Sequence, residues 1–309
     1  MRRVVVSGIT GHLGHEVARQ LAEHGVEVYG LTRQRVPPGD VLSRSARLFQ
    51  IDGSTHTILS SFEQIRPDAV IHLAGLSRRE HRASDIEPFI EANILLGTQL
   101  LEGMRITGCQ RVIAAGTYLQ HYHTDANRAF NFYAATRQAF EAVLEFYVDA
   151  YEMSAVRLTL ADIYSEHDTR PKLMTDIARA WSDSRPITLR DPDAFVDLIH
   201  VEDAANAFLQ AAALLETGEI PARTLSRYSV SSGEDITALE LVHRFERQAK
   251  RNLQITRDCA PAPSRRIKPG RSAPVPGWKP RITLEDGIDR IVASQATRVA
   301  RQQPPGIAR

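Results

Sequence analysis

Val4-Val5-Val6-Ser7-Gly8-Ile9-Thr10-Gly11-His12-Leu13-Gly14 reads as a buried strand running straight into three glycines spaced three apart. The residues that follow place Leu13, Val17, Ala18 and Leu21 on one face of a helix. Glycine permits the tight strand-to-helix turn and a close approach of backbone to ligand. The helix begins with unpaired N–H groups and a partial positive charge, which suits a pyrophosphate. Gly8, Thr10, Gly11, His12, Leu13 and Gly14 are therefore the expected cradle of a dinucleotide. The Gly-x-x-Gly-x-x-Gly spacing differs from the commoner Gly-x-Gly-x-x-Gly fingerprint and marks a subclass of it. Glycines also mark plain structural turns. The position of this triplet, directly after Val4-Val5-Val6, selects the nucleotide reading.

Composition agrees with an enzyme. The chain has 309 residues, 43% of them hydrophobic, and a formal net charge of +1. So balanced a charge gives no reason to expect nucleic acid or a membrane as partner. Cys109 and Cys259 are the two cysteines, so no disulfide framework exists and a cytoplasmic setting is expected. No run approaches the ~18 apolar residues of a membrane span, the first 30 residues lack a signal-peptide pattern, and no internal repeat is evident.

Short apolar strands alternate with helical stretches through the first half. Strands are expected near 4–7, 26–32, 46–51, 68–73, 111–115 and 154–160. Helices are expected near 12–24, 58–65, 86–107 and 130–151. This alternation means a parallel sheet covered on both faces. With right-handed crossovers, the expected fold class is α/β: a Rossmann-type doubly wound parallel sheet plus a smaller, irregular C-terminal substrate domain. The dinucleotide-binding domain would span 1–160 and about 193–216, the substrate domain 161–192 and about 217–292, with 293–309 a flexible tail. Residues 260–280 read as a loop, and Thr283-Leu-Glu-Asp286 as a capped helix start.

The second strand ends Leu31-Thr32-Arg33-Gln34-Arg35, without the acidic residue that would bond the ribose hydroxyls of NAD. Arg33, with Arg35 second, instead suits a 2′-phosphate, so NADP (NADPH) is expected ahead of NAD. Asp52, before Gly53, is either an adenine contact or a turn former.

The fifth strand leads to Thr117, and a helix carries Tyr133 and Arg137 at i and i+4, on one face. A cation favours the ionised form of a neighbouring phenol, and a threonine hydroxyl can orient a carbonyl. Such a set suits proton transfer coupled to hydride transfer. His121 and His123 lack a third ligand at suitable spacing, so no metal is expected.

These features resemble the extended short-chain dehydrogenase/reductases, the NAD-dependent epimerase/dehydratase family, over about residues 1–292. The resemblance rests on the glycine motif, His72-Leu73-Ala74-Gly75, Asn93 in Glu-Ala-Asn-Ile-Leu-Leu-Gly-Thr, the Thr117/Tyr133 pair, Asp197-Leu-Ile-His-Val-Glu-Asp203 and Gly277-Trp-Lys-Pro280. A narrower likeness lies in Gly116-Thr117-Tyr118-Leu119-Gln120, Tyr133-Ala-Ala-Thr, Asp162-Ile-Tyr164, Asp168-Thr-Arg170-Pro-Lys172 and Phe195-Val-Asp-Leu-Ile-His. This set is similar to the reductases that make CDP-3,6-dideoxyhexoses and related 4-keto-6-deoxy sugar nucleotides.

The resemblance implies a nucleotide-sugar substrate reduced at its C4 ketone. Thr117, Tyr133 and Arg137 would be catalytic. Leu73, Ala74, Gly75, Asn93, Tyr133 and Arg137 would join the cofactor site, although Asn93 could equally bridge helices. Ser77, Tyr118, Gln120, Asp162, Arg170, Lys172, Arg265 and Arg266 would meet the substrate. It also implies a homodimer through helices about 86–107 and 130–151. Two departures stand out. Arg137 occupies the lysine position of Tyr-x-x-x-Lys, keeping the charge but unable to relay a proton. Val196 stands where sugar epimerases carry a phosphate-binding arginine. An epimerase or dehydratase that retains its cofactor, and a non-catalytic dinucleotide sensor, are the rival readings.

Overall fold

The computed structural model describes residues 1–33, 41–121, 128–257 and 272–302. The chain begins β1 (Arg3–Ser7), α1 (His12–Glu23), β2 (Glu27–Thr32), α2 (Val41–Ser45), β3 (Arg47–Gln50), α3 (Thr55–Ile65) and β4 (Ala69–His72). It continues with α4 (Ile86–Ile90), α5 (Leu96–Thr107), β5 (Arg111–Thr117), α6 (Phe132–Ala150), β6 (Ser154–Leu160) and β7 (Asp162–Tyr164). Next come α7 (Leu173–Ser182), β8 (Ile187–Leu189), β9 (Phe195–Val196), β10 (Leu198–His200), α8 (Val201–Thr217) and β11 (Thr224–Val230). The remainder is β12 (Ile236–Thr237), α9 (Ala238–Ala249), β13 (Ile255–Arg257) and α10 (Leu284–Gln302).

Two compact units result. The first comprises Met1–Leu160, Ala204–Val230 and Gly270–Lys279. Its seven-stranded sheet has the order β11-β6-β5-β4-β1-β2-β3, with every neighbouring pair parallel. All carboxyl ends of the strands therefore lie along one edge. The order reverses beside β1, where doubly wound sheets bind their ligands. Apolar strand residues such as Val5, Val70 and Val112 pack against Phe62, Leu100, Met104, Phe140 and Leu144 of the flanking helices in one continuous core. Cys109 belongs to that core, and burial pushes its thiol up to about 12, so it is a packing residue.

The second unit comprises Ala161–Asp203, Ser231–Pro269 and Pro280–Arg309. Its core gathers Met174 and Ile177 of α7, Leu241 and Phe245 of α9, and Ile288 and Ile291 of α10. Short two-stranded pairings complete it: β10 with β7, β12 with β9 and β13 with β8.

The structure revises three expectations about domain bounds and the tail. The stretch 217–292 is not wholly of the small domain, because β11 extends the large sheet by pairing with β6 along its whole length. Its polar alternation, Thr224-Leu-Ser-Arg-Tyr-Ser-Val230, hides an edge strand whose first part is only half-buried. The stretch 193–203, expected in the large domain, belongs to the second unit. There Val196 and Phe195 pair antiparallel with Ile236 and Thr237. The tail expected to fray from about 293 is helical to Gln302, because Ile288 and Ile291 are buried early in α10 and helix formers follow.

The expected single helix over 86–107 is broken by a π-helical turn at Glu91–Leu95 between α4 and α5. Such bulges recur at functional sites, and this one carries Asn93. Among the described residues, no helix is long and apolar enough to cross a membrane.

Candidate active site

The glycine turn is built by exclusion. Gly8 has φ +71°, and a Cβ there would lie 2.5 Å from the Ala74 backbone N at the end of β4. A Cβ on Gly14 would lie 2.2 Å from the Gly8 carbonyl oxygen. Neither position can carry a side chain without moving backbone. Gly11 is the N-cap of α1 and donates to the Gly8 oxygen at 2.9 Å. It offers no side-chain cap, and the first turn of α1 holds no acidic residue. The helix start thus lies beside two obligatory glycines with neither a side-chain cap nor an acidic residue in its first turn, which fits the pyrophosphate of a dinucleotide. Thr10 is exposed, His12 is half-buried and Leu13 is buried there.

β2 ends at Thr32, and Arg33 follows on an exposed bend. No partner for the Arg33 guanidinium exists among the described residues. Asp52 is engaged locally: its Oδ1 accepts from Ser54 N at 2.8 Å and from Thr57 Oγ1 at 2.7 Å. Those hydrogen bonds hold its carboxyl at about 2. Asp52 therefore organises the turn through Gly53, at φ +91°, into α3.

Thr117 closes β5 and is 7% exposed. Its Oγ1 accepts from Leu119 N at 3.3 Å, and Gln120 Oε1 accepts from Thr117 N at 3.0 Å. The hydroxyl-bearing residue is thus fixed by a reciprocal cap on a short turn. Tyr118 is half-buried on that turn, while Gln120 is 1% exposed and donates onward to Glu141 Oε2 at 3.0 Å. Tyr133 is half-buried in the first turn of α6, where Asn131 caps the helix by accepting from Ala134 N at 2.9 Å.

Arg137, one turn on, is 4% exposed. Its Nη1 donates to Ala74 O at 2.9 Å and its Nη2 to Ala115 O at 2.6 Å, while its Nε is buried without a partner. The guanidinium fork ties the loop after β4 to β5 from the helix that carries Tyr133. A lysine could not span both carbonyls with one planar group.

Asn93, 0% exposed, accepts from Leu76 N at 2.7 Å and donates to Leu76 O at 3.0 Å and Thr136 Oγ1 at 2.8 Å. It pins the loop after β4 to α6. A Cβ on Gly75 would crowd both Arg137 Nη1 and Asn93 Oδ1 at 3.1 Å. Leu73 and Ala74 are half-buried and Ser77 exposed on the same loop.

Two further buried groups stand beside the site, although neither was assigned a role from the sequence. His72 Nδ1 shares a hydrogen bond with Ser7 Oγ at 2.7 Å, and its ring meets Phe140 edge-on. Burial, then the Arg137 charge, drops it to about 3, so it is neutral. Arg157 is 3% exposed in β6 and reaches Thr159 Oγ1 at 3.0 Å, His121 Nε2 at 2.8 Å and Glu141 at 3.0 Å. Glu141 also pairs with Arg227 at 2.7 Å. Through Glu141 and Gln120 this network backs the Thr117 turn. An arginine inside the apolar run Ser154–Leu160 was the available signal.

In the second unit, Arg170 forks onto the Asp168 carboxylate at 2.8 and 2.7 Å, and Lys172 pairs with Asp162 at 2.9 Å. Glu166, His200 and Glu202 bring ligand atoms within 4.8 Å of one another. His200 Nδ1 accepts from Glu202 N at 3.3 Å, which leaves Nε2 to donate to Glu166 at 3.2 Å. That explains the fall of Glu166 to about 2 and makes the group a structural pair. Arg35, Arg265 and Arg266 lie outside the described residues.

The profile of the NAD dependent epimerase/dehydratase family matches residues 4–224. The chain belongs to that family. Membership makes it an enzyme of the NAD-dependent epimerase/dehydratase type. It is 21% identical to CDP-abequose synthase of Salmonella typhimurium over 94% of this chain and 97% of that protein. It is 24% identical to dTDP-6-deoxy-L-talose 4-dehydrogenase (NAD(P)(+)) of Kitasatospora kifunensis, covering 96% of each. In fold it is similar to the UDP-glucose 4-epimerase of Thermus thermophilus in complex with NAD. The TM-score is 0.79 at 24% identity, over 95% of this chain and 99% of that one.

Proposed function

We propose that this protein is an NADPH-dependent reductase of the C4 ketone of a nucleotide-activated 4-keto-6-deoxyhexose. The observation that carries the reading is Arg33. It is exposed at the end of β2, where no acidic residue stands to bond a ribose hydroxyl, and no described residue neutralises it. A 2′-phosphate suits that position, and a reductase with net turnover draws on a phosphorylated, reduced cofactor.

When bound, the nicotinamide supplies hydride to the carbonyl carbon. The chain's own residues handle the oxygen. Thr117, locked by its cap, orients the C4 carbonyl. Tyr133 gives its hydroxyl proton to the oxygen as charge develops there. Arg137 holds the ends of β4 and β5 in place, contributes positive charge near the developing anion, and takes no part in proton exchange. Gly8, Gly11 and Gly14 would hold the pyrophosphate, and Leu73, Ala74 and Gly75 would line the cofactor. Arg170 and Lys172, neutralised by Asp168 and Asp162, offer the substrate hydrogen-bond donors rather than free charge.

A second reading, epimerisation with an NAD cofactor retained through the cycle, is favoured by the likeness to UDP-glucose 4-epimerases in both sequence and fold. Arg33→Asp separates the two. For a reductase it should raise KM for NADPH by about tenfold or more while sparing NADH, as expected when a charge-assisted contact to phosphate is removed. Unchanged preference would remove Arg33 from the cofactor site.

The assembly proposed is a homodimer. Ile90, Leu95, Ile106 and Phe146 stand 40%, 43%, 43% and 58% exposed along α4, the π-turn, α5 and α6. Large apolar residues grouped on one pair of helices mark a face that another protein covers.

A further inference from the structure

The segment Arg78-Arg79-Glu80-His81-Arg82, between β4 and α4, has no role in the fold or in the reading above, yet it is tied to the catalytic helix. Arg78 Nη1 pairs at 3.0 Å with Asp85, whose side chain is 7% exposed. The other oxygen of Asp85 accepts from Arg82 N at 2.8 Å. Asn131, the cap of α6, donates to Arg79 O at 3.5 Å. His81 stacks on Phe132, the residue before Tyr133, with ring centroids 4.5 Å apart. The loop backbone is thus held at several points against the helix start that presents Tyr133.

Two charges on this anchored loop are left over. Arg79 and Arg82 are exposed, and neither guanidinium has an ion-pair or hydrogen-bond partner among the described residues. Elsewhere in this unit the buried arginines of the site are met within the chain: Arg137 by carbonyls and Arg157 by Glu141. Glu80 offsets one charge of the segment, which still carries a net +2 from its three arginines with His81 neutral. The positive end of α6 adds to the same region, since its first turn holds no acidic residue.

We propose that Arg79 and Arg82 form an oxyanion-binding subsite that takes a negatively charged group of the sugar nucleotide beside the Tyr133 end of α6. This deepens the nucleotide-sugar reading and rests on it. The shared chemistry is a planar or tetrahedral oxyanion held by guanidinium forks. In a 4-keto-6-deoxyhexose nucleotide that group is the diphosphate, because C6 is a methyl group; a ring carboxylate is the rival source and belongs to a different sugar. The need for such a subsite is internal to the chain. Arg170 and Lys172, the other described cations expected to meet the substrate, are already neutralised by carboxylates.

The test is calorimetric titration of the protein saturated with NADP⁺. The ligands are CDP, dTDP, UDP and GDP, each bare, as the glucose ester and as the glucuronate ester. Wild type is compared with Arg79→Gln/Arg82→Gln and with Arg79→Lys/Arg82→Lys. The proposal expects the glutamine variant to lose tenfold or more in affinity, on the order of one charge-assisted contact. The lysine variant should regain part of it, and wild-type affinity should fall with added salt. A loss shared by bare nucleotides and both esters assigns the diphosphate; a loss confined to glucuronate esters assigns a ring carboxylate and overturns the 6-deoxyhexose reading. Affinity unchanged within twofold in the glutamine variant overturns the proposal, as does a loss matched by a fall in NADP⁺ affinity in both variants. A wild type that binds none of the ligands overturns the nucleotide-sugar reading and this subsite with it.

Discussion

Replacing Arg137 tests whether its guanidinium is a strut or only a charge. It makes two buried bonds, to Ala74 O at 2.9 Å and to Ala115 O at 2.6 Å, and leaves its Nε–H unpaired. A hydrogen bond from a charged donor is worth about 1.5–3 kcal/mol net. Arg137→Met forfeits both and uncovers two carbonyls, but also removes the orphaned N–H, which costs about 1 kcal/mol where it stands. The balance is a loss of about 3 kcal/mol. Arg137→Lys keeps one bond and the charge and sheds the same orphan, so its loss is about 1 kcal/mol. Urea unfolding without cofactor measures both, since bound dinucleotide would mask part of the change. The midpoints should fall in the order wild type, lysine, methionine, at similar slopes. A methionine variant as stable as wild type would refute the strut, and the departure from Tyr-x-x-x-Lys would then concern chemistry alone.

Two further outcomes follow from the same structure. His72 titrates at about 3 when folded and near 6.5 when unfolded. Its contribution is complete above pH 6.5 and is lost as pH falls below that, because the unfolded chain then binds a proton that the native ring refuses. Between pH 6.5 and 5 the loss should approach about 2 kcal/mol, at ~1.4 kcal/mol per unit. Chemical unfolding at several pH values should show this slope in wild type and a flatter one in His72→Asn; equal slopes would contradict it. Phe146→Glu should convert a dimer to a monomer by light scattering, with NADPH affinity kept, because Phe146 is 58% exposed on α6; an unchanged mass would remove α6 from any interface.

The first half of the fold was legible because parallel strands buried on both faces are short apolar runs. Val4–Val6, Ala69–Ile71 and Val112–Ala115 have no other reading at that length. The glycine turn was legible for a steric reason, since Gly8 and Gly14 tolerate no Cβ. What escaped depends on long-range pairing. β11 is a polar edge whose partner, β6, lies 70 residues away in register, as with Thr224 and Ser154. Nothing local in Asn93 announces a π-turn, and the Arg157–Glu141–Arg227 network joins residues from β6, α6 and β11. The acidic partners of Arg170 and Lys172 sit two and ten residues away, at Asp168 and Asp162. They were visible in the chain, but spacing alone does not reveal that the charges cancel.

The most direct test of the central claim is loss of NADPH absorbance when the purified protein meets a panel of nucleotide-4-keto-6-deoxyhexoses, with NADH and the Tyr133→Phe variant in parallel. The account predicts stoichiometric oxidation of NADPH with at least one sugar, weaker use of NADH, and no turnover by the variant with its NADPH binding kept. Sugar epimerisation without net NADPH loss, or full activity in the phenylalanine variant, would contradict it.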